Sequence, residues 1–534
     1  MKFYHLLPVL LLAIGLHAQN NAPQISITNV QTDTVVKTIT ITYDAFDADN
    51  DLLEITPYLS VDSGYAHVAP ILAASGDVGF PVSPGNNLSL VVSYDLNSLG
   101  NASGQNNQAF VGVKLVASDL KPISVDDILQ GIDSASVYND MLFIAQPRHH
   151  VGNPAGLELI KDSLQTRFNR YGLQNERFGF NMGAVASENI LGRQAGNAQE
   201  EQVIVVDGHF DAVQGVPGAD DNGSAIAGVL AAARILSNYH FQKSINYLGF
   251  DKEEQGLLGS ANYINNSIKP FENIEAVLNM EMIGFYSNTP NSQQIPFGFS
   301  QLFPASVDSI NDSGNRGVFL FVVGNTASAA LSATFDSVAR AHVPGIRSLV
   351  LNVPGNGQIA QDLRRSDHAS FWDAGYQALM LTDGADFRNA NYHTPGDSLG
   401  TLDIPFLVRN IKAMVATAAV LAKPISADED QAITGQLLSN VAFSVPENLL
   451  KTNIELYPNP STGQVKVRFG ENLPNAIITV IDAAGKVVLT KQENISSDQP
   501  VVLDIKQSGV FVLKVQHGQQ QTSRRFIISE GHQH

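Results

Sequence analysis

The chain has 534 residues, 44% hydrophobic and 16% charged, with a formal net charge of −19 and no cysteine. That length exceeds one hydrophobic core and implies several domains, and the acidic balance argues against nucleic acid or an anionic membrane as the main partner. Without cysteine no disulfide can staple the fold, and any zinc site has to be built from His, Asp and Glu.

In chain order, residues 1–18 read as a secretory signal peptide: Lys2 is the positive start, Leu6 to Leu16 the apolar stretch and Ala18 the residue before the cut. The run is shorter than the roughly 20 residues that a membrane span needs, so no span is expected in the mature protein. Residues 22–125 read as a small immunoglobulin-like β-sandwich. Ile39, Ile41 and Tyr43 alternate with threonines, and Leu88 to Tyr94 and Phe110 to Val116 repeat the pattern between clusters of turn residues. Asp47, Asp49 and Asp51 offer the alternating oxygens that suit calcium, but the glycine and distal glutamate of a calcium loop are missing. A polar turn is therefore the expectation there.

Residues 126–425 alternate helical and strand signals. Gly156 to Phe168 and Ala225 to Leu236 have helical spacing, and Phe406 to Lys423 reads as a closing helix. Gln202 to Asp207, Ser244 to Phe250 and Ala276 to Met280 are short apolar runs that read as buried strands. The alternation implies an α/β domain: a mostly parallel mixed sheet with helices on both faces. Residues 426–452 lose periodicity and read as a linker. Residues 453–530 read as a second small all-β sandwich, with strands at 465–469, 477–481 and 510–515 and a turn at Ala484-Gly485-Lys486.

Sites in open parallel sheets form beyond the carboxyl ends of strands. His209 and Asp211 follow the first of the three buried strands, Glu253 and Glu254 the second, and Glu281 the third. Imidazole and carboxylate are the ligand types that zinc accepts. Two ions about 3.5–4 Å apart need a bridging group, for which Asp221 in Gly218-Ala-Asp-Asp-Asn-Gly223 is the candidate. Asp211 is placed to orient the His209 ring through its other nitrogen. Adjacent side chains rarely reach one ion, so Glu253 is read as the base for the attacking water and Glu254 as a ligand. Each motif alone would be a surface turn or a solvated pair. Three strand ends converging on one sheet edge make the argument for metal.

These residues resemble the co-catalytic zinc aminopeptidases of metallopeptidase family 28. The resemblance rests on His209-Phe-Asp211, Gly218-Ala-Asp-Asp-Asn-Gly-Ser224, Glu253-Glu254-Gln-Gly-Leu-Leu-Gly-Ser260, Glu281, Ser366-Asp-His368 and His393-Thr-Pro-Gly-Asp397, over about 300 residues. It implies two Zn²⁺, one held by His209 and Glu281, the other by Glu254 and His393, with Asp221 bridging both. It also implies a cis peptide between Asp220 and Asp221. His368 falls outside this ligand set. A tyrosine that some members place shortly before Ser-Asp-His is absent here, with Leu363 near its position, so the oxyanion donor stays open between Arg364, Arg365 and other groups. The tail, Asn453-Ile-Glu-Leu-Tyr-Pro-Asn-Pro-Ser461 through Arg524-Arg-Phe-Ile-Ile528, looks like the C-terminal sorting domain of type IX secretion in Bacteroidetes.

The resulting expectation is a secreted or cell-surface di-zinc exopeptidase. It would act on the N-terminal residues of peptide substrates and be exported through the type IX machinery. A carboxypeptidase or dipeptidase on the same scaffold is the alternative, with Arg364 and Arg365 available for a terminal carboxylate; an inert surface-binding relative is a third reading. Phe297, Phe299 and Phe303 are read as core packing rather than pocket walls.

Overall fold

The computed structural model describes residues 20–528 apart from 34–37, 61–66, 68, 71–72, 94–110, 184, 435–453, 458–460, 462, 483–486 and 519. The signal peptide, most of the expected linker and the turn at 484–486 lie outside these residues. Two compact units divide the described chain, one of residues 20–27 and 33–434 and the second of residues 28–32 and 454–528.

After an edge strand at Gln24–Asp33, the chain continues through strands β1 (Thr38–Phe46), β2 (Leu53–Ser60), β3 (Gly85–Ser93) and β4 (Val111–Pro122) of the first unit. The alternation read from the sequence is the burial pattern of β1: Ile39, Ile41 and Tyr43 are buried and the threonines between them half-buried. These strands fall into two antiparallel sheets, β1 with β3 and β2 with β4.

The same unit contains an eight-stranded sheet of β5 (Gln174–Met182), β6 (Val185–Gln194), β7 (Gln199–His209), β8 (Lys243–Phe250), β9 (Asn273–Glu281), β10 (Leu320–Asn325), β11 (Ser348–Val353) and β12 (Ala378–Thr382). The spatial order is β11-β10-β12-β9-β7-β8-β6-β5. Four neighbouring pairs are parallel, including the central run β12-β9-β7-β8, and three are antiparallel. The sheet is thus mixed, with three of its parallel pairs at the centre and the fourth, β10 with β11, at one edge.

Its two faces are covered separately. Ile204, Val206, Tyr247, Leu278 and Met280 pack with the Ala225–Leu236 and Ile404–Ala422 helices. Val203, Val205, Phe250, Val277 and Val323 pack with Tyr263, Phe371 and Trp372 on the other. Alternate side chains along one strand therefore serve opposite layers, and such strands read as continuous apolar runs. Ile404–Ala422 is long and apolar enough to cross a membrane, but it is mostly buried inside this core.

One boundary differs from the sequence expectation. Residues 426–434, read as the start of a linker, belong to strand β13 (Pro424–Thr434), which pairs antiparallel with β4 from Ile425↔Pro122 to Thr434↔Val111. The β-layer is therefore not confined to residues 22–125. It is completed by a strand that follows the closing helix. Asp428-Glu429-Asp430 has poor strand propensity, and the partner strand supplies the order that the local sequence lacks.

The second unit is all β. Strands 464–469, 454–457 and 501–504 form one antiparallel sheet, and 473–482, 487–495, 509–517 and 520–528 another. Val465, Val467, Phe469, Ile478, Val480, Leu513, Val515 and Phe526 share one buried cluster.

Candidate metal centre

The register of the central strands brings the site residues to one edge. His209 pairs with Phe250 at the ends of β7 and β8, and Glu281 with Thr382 at the ends of β9 and β12. Glu253 and Glu254 follow β8 after a turn. Asp221 lies in an irregular turn, Ala219–Ser224, leading into the Ala225–Leu236 helix. The turn needs Gly218, whose φ is +59° and whose Cβ, if present, would lie 2.4 Å from the Asp221 carbonyl oxygen. Lys252, Met282 and His393 also adopt positive φ, at 63°, 50° and 56°. Such backbone strain in non-glycine residues clusters at functional sites.

Two donor groups result. Nε2 of His209 lies 3.4 Å from Asp221 Oδ1 and 3.4 Å from Glu281 Oε2. Nε2 of His393 lies 3.1 Å from Asp221 Oδ2 and 3.3 Å from Glu254 Oε2. Within each group the ligand atoms are within 4.8 Å of one another. Two ligands about 2.0–2.1 Å from a tetrahedral ion are ~3.3 Å apart, so these separations are those of groups converging on metal. Glu254 Oε1 is buried with no hydrogen-bond partner, a further oxygen that the protein alone leaves unsatisfied. The residues present fit zinc on geometry and on donor type.

The Glu253 carboxylate ligates in neither group. Its Oε2 stands 3.7 Å from His209 Nε2. Burial, with Glu281 and Asp367 nearby and only His209 opposing, holds its pKa well above the usual carboxylate range. Burial also raises Glu254 and Glu281. Burial pushes the same way at Asp221, but the two imidazoles outweigh it and pull Asp221 below its ordinary value. Burial opposes charge on His393, yet Asp221 and Glu254 hold its pKa up at about 10.

Asp211 has a second task beside the ring. Its backbone oxygen, 3.1 Å from His209 Nδ1, is the nearer contact to the ring, and its Oδ1 is 3.5 Å from the same nitrogen. The carboxylate also accepts the backbone N–H groups of Glu253 at 3.2 Å and Glu254 at 3.3 Å. It fastens one strand-end turn to the next. The cis peptide is also displaced by one residue, lying between Asp221 and Asn222 rather than between Asp220 and Asp221.

Several residues hold the site in roles that the sequence reading did not assign, Asn222, Ser366 and Asp397 from within its motifs and Arg148 from outside them. Asp397 accepts the backbone N–H groups of Asp220 and Asp221 at 2.9 and 3.0 Å. Asn222 Nδ2 and Ser366 Oγ donate to Glu281 Oε2 at 3.1 and 2.7 Å. Arg148 is completely buried and donates to the carbonyls of Phe210, Pro217 and Gly218. His368 is turned away, with Nε2 3.0 Å from the Leu363 carbonyl oxygen, and burial lowers its pKa to about 3. Arg364 pairs with Asp373, leaving Arg365, which donates to Asp386 at 3.2 Å and to the Tyr392 hydroxyl at 3.0 Å. Tyr392 stacks on His393 with ring centroids 3.7 Å apart.

Beside Glu281 and Tyr392 opens a cavity walled by Phe299, Phe321, Leu363, Met380 and Phe387. Phe299 and Phe303 pack in the core as expected, Phe299 also forming part of the pocket wall, whereas Phe297 is fully exposed, against expectation.

Paired imidazole–carboxylate groups that share one aspartate, set at the strand ends of an α/β sheet, are a donor set suited to hydrolytic metal chemistry. Comparison with known proteins agrees with that class. Residues 189–418 match peptidase family M28, and residues 455–529 match the secretion system C-terminal sorting domain, so the chain carries an M28 peptidase domain followed by a sorting domain. The uncharacterized protein YfbL of Escherichia coli strain K12 is 28% identical over 236 residues, 40% of this chain and 65% of that protein. Aminopeptidase YwaD of Bacillus subtilis strain 168 is 28% identical over 218 residues, 40% of each. The chain spans less than two thirds of the length of either relative. The solved structure of BSAP, a zinc aminopeptidase from Bacillus subtilis, covers 55% of this chain and 96% of its own, at 16% identity and a TM-score of 0.43.

Proposed function

We propose that this chain is a secreted exopeptidase that uses two zinc ions to remove N-terminal residues from peptides. The observation that carries the reading is Asp221, whose two oxygens each face a different imidazole. His209 and Glu281 would hold one ion, Glu254 and His393 the other, and Asp221 both. Zinc so held supplies a Lewis acid for the scissile carbonyl and lowers the pKa of water.

The chain's own residues do the rest. Glu253, close to the donors but engaged with neither group, takes the proton of the attacking water and returns it to the leaving amine. The Tyr392 hydroxyl already accepts from Arg365, so its own proton is free to donate to the oxyanion, the task that Leu363 cannot perform. The apolar cavity beside Glu281 receives the side chain of the residue released. Arg364 and Arg365, the groups a carboxypeptidase would need for a terminal carboxylate, are engaged by Asp373 and by Asp386 with Tyr392, which favours the aminopeptidase reading. The C-terminal unit acts as the address read by the type IX machinery.

The test is hydrolysis of aminoacyl-4-nitroanilides beside N-acetylated copies, before and after chelation with zinc added back. Cleavage of free-amine substrates alone, lost on chelation and restored by zinc, is expected. Glu253→Gln should keep its zinc and lose most turnover, and near-normal turnover in that variant would refute the role given to Glu253.

A further inference from the structure

The connection between β1 and β2 holds Asp47, Asp49 and Asp51, and each offers a carboxylate oxygen within 4.8 Å of the other two. Asp47 is only 4% exposed. Its Oδ1 accepts the backbone N–H groups of Asp49 and Asp51 at 2.9 and 3.0 Å, while its Oδ2 is buried with no hydrogen-bond partner. A buried carboxylate oxygen left unmatched is costly, and buried charges are ordinarily paired or bound to metal. We propose that this turn is a calcium site, separate from the zinc centre, that clips the β-layer at the point where the chain enters and leaves the α/β sheet.

The ligand chemistry selects the ion. The three residues offer oxygen alone, with no imidazole or thiolate, which suits a hard cation and not zinc. Calcium accepts six to eight oxygens in a flexible arrangement, so carboxylates and waters can complete the shell without an ideal cage. The segment before β1 closes over the turn: the Asn21 backbone N–H donates to Asp49 Oδ2 at 2.9 Å, and its side-chain amide lies 3.3 and 3.4 Å from the two oxygens of the same carboxylate. The Oδ1 of Asn20, next in the chain to Asn21, is likewise buried without a partner. Among the described residues Lys121 ion-pairs with Asp51 Oδ2, and its charge is also felt at Asp49; it is itself 42% exposed.

The feature that argued against calcium in the sequence has a structural answer. The glycine position of a calcium loop is Leu52 here, and this turn bends elsewhere, at Asn50, which adopts φ of +59°. Asparagine is one of the few residues that enter the left-handed region at small cost.

The position suggests the role. Asn20 Nδ2 donates to Asp119 Oδ2 at 2.6 Å and to Ser426 Oγ at 2.8 Å, and Ser426 Oγ donates to the same Asp119 oxygen at 2.9 Å. Asp119 is on β4, the last strand before the helices begin, and Ser426 is on β13, the first after they end. An ion held by the turn ties the start of the β-layer to both.

The experiment uses the full chain loaded with zinc and freed of calcium on a chelating resin, titrated with calcium chloride in equilibrium dialysis. About one calcium per chain is expected, with a Kd of ~10⁻⁴–10⁻³ M, the range of extracellular calcium modules. Calcium should also raise the thermal midpoint of the wild type while leaving its zinc content unchanged. Asp47→Asn keeps the Oδ1 acceptor for both N–H groups but turns Oδ2 into a donor, and it should abolish binding. Asp49→Asn, at an exposed position, should weaken binding at least about tenfold and decides the matter if Asp47→Asn does not fold. Absence of saturable calcium up to about ten times the top of that range, or unchanged affinity in Asp49→Asn, would overturn the proposal.

Discussion

Replacing Arg148 by lysine tests how the turn that carries Asp221 is held. The Arg148 guanidinium donates to five backbone carbonyls: Phe210 at 2.7 Å, Ile144 at 3.2 Å, Gln146 at 3.1 Å, Pro217 at 2.6 Å and Gly218 at 2.7 Å. Lysine keeps the charge but has three donors on one nitrogen, so at least two of these carbonyls lose their partner. Each orphaned buried group costs about 1–3 kcal/mol, which places Arg148→Lys at about 2–6 kcal/mol of lost stability. The assay is urea unfolding of the zinc-loaded chain followed by tryptophan fluorescence. Trp372 is the sole tryptophan, and it is buried in the core of this sheet with Nε1 donating to the Ala378 carbonyl at 2.9 Å. The signal therefore reports this unit and not the C-terminal one. Zinc affinity should fall as well, because the Gly218 carbonyl lies in the turn that aims Asp221. An Arg148→Lys variant within about 0.5 kcal/mol of wild type, the range of an ordinary surface substitution, would refute the reasoning.

Tyr392→Phe removes one hydroxyl and leaves the ring stacked on His393. If that hydroxyl is the oxyanion donor, kcat should fall by about 10²–10³ with KM and zinc content little changed, and an equal rise in KM with kcat preserved would remove it from the role. Zinc uptake by the metal-free chain at pH 7 should release protons. Burial opposes charge on both imidazoles, but the surrounding carboxylates hold His209 well above its ordinary value and His393 at about 10, so both rings enter protonated and zinc must displace both protons. Zinc affinity should accordingly rise as pH rises, and calorimetry in two buffers of different ionisation enthalpy should count about two protons or more; fewer than about one would contradict the charge assignment. Gly259→Ala should disturb the Glu253–Glu254 turn, because an added Cβ would lie 2.2 Å from the Asp251 carbonyl oxygen and 2.7 Å from Asn189 Oδ1. Overpacking of this kind costs about 1–3 kcal/mol, and elemental analysis should show less than the wild-type zinc content.

What could be read from the sequence divides along a physical line. His209, Glu253, Glu254 and Glu281 were legible because side-chain type and strand-end position both enter their chemistry. Short apolar runs reveal where strands stop, and an open sheet collects its ligands there. Asp221 and His393 lie in loops that carry no such positional signal, and their place beside the strand ends came only from order and residue type. Of the residues that hold those loops, Arg148 was silent, while Asp397 and Asn222 were visible as motif members but not in their roles. All three bind backbone N–H and C=O groups, which every residue possesses, so no side-chain pattern at the other end of the bond marks the contact. Asp211 shows the same limit from within a motif, since its carboxylate grips the amides of Glu253 and Glu254 more directly than the imidazole it was expected to orient.

The β-layer fails to be legible for a complementary reason. Strand β13 is specified by its pairing with β4, some three hundred residues earlier in the chain (|i−j| of 308 for the Ser118–Ser426 hydrogen bond), and not by its own acidic sequence. Asp428 and Asp430 owe their order to such distant partners, since they accept the backbone N–H groups of Ile25 and Ile27 at 2.9 and 2.7 Å. A run of acids that looks like linker in isolation thus supplies acceptors for an edge that would otherwise be unpaired. This accounts for why the first β-region cannot be cut cleanly at residue 125. Its larger sheet closes only after the α/β sheet has been built and the chain has returned, so its stability and that of the sheet carrying the candidate metal centre are expected to be coupled.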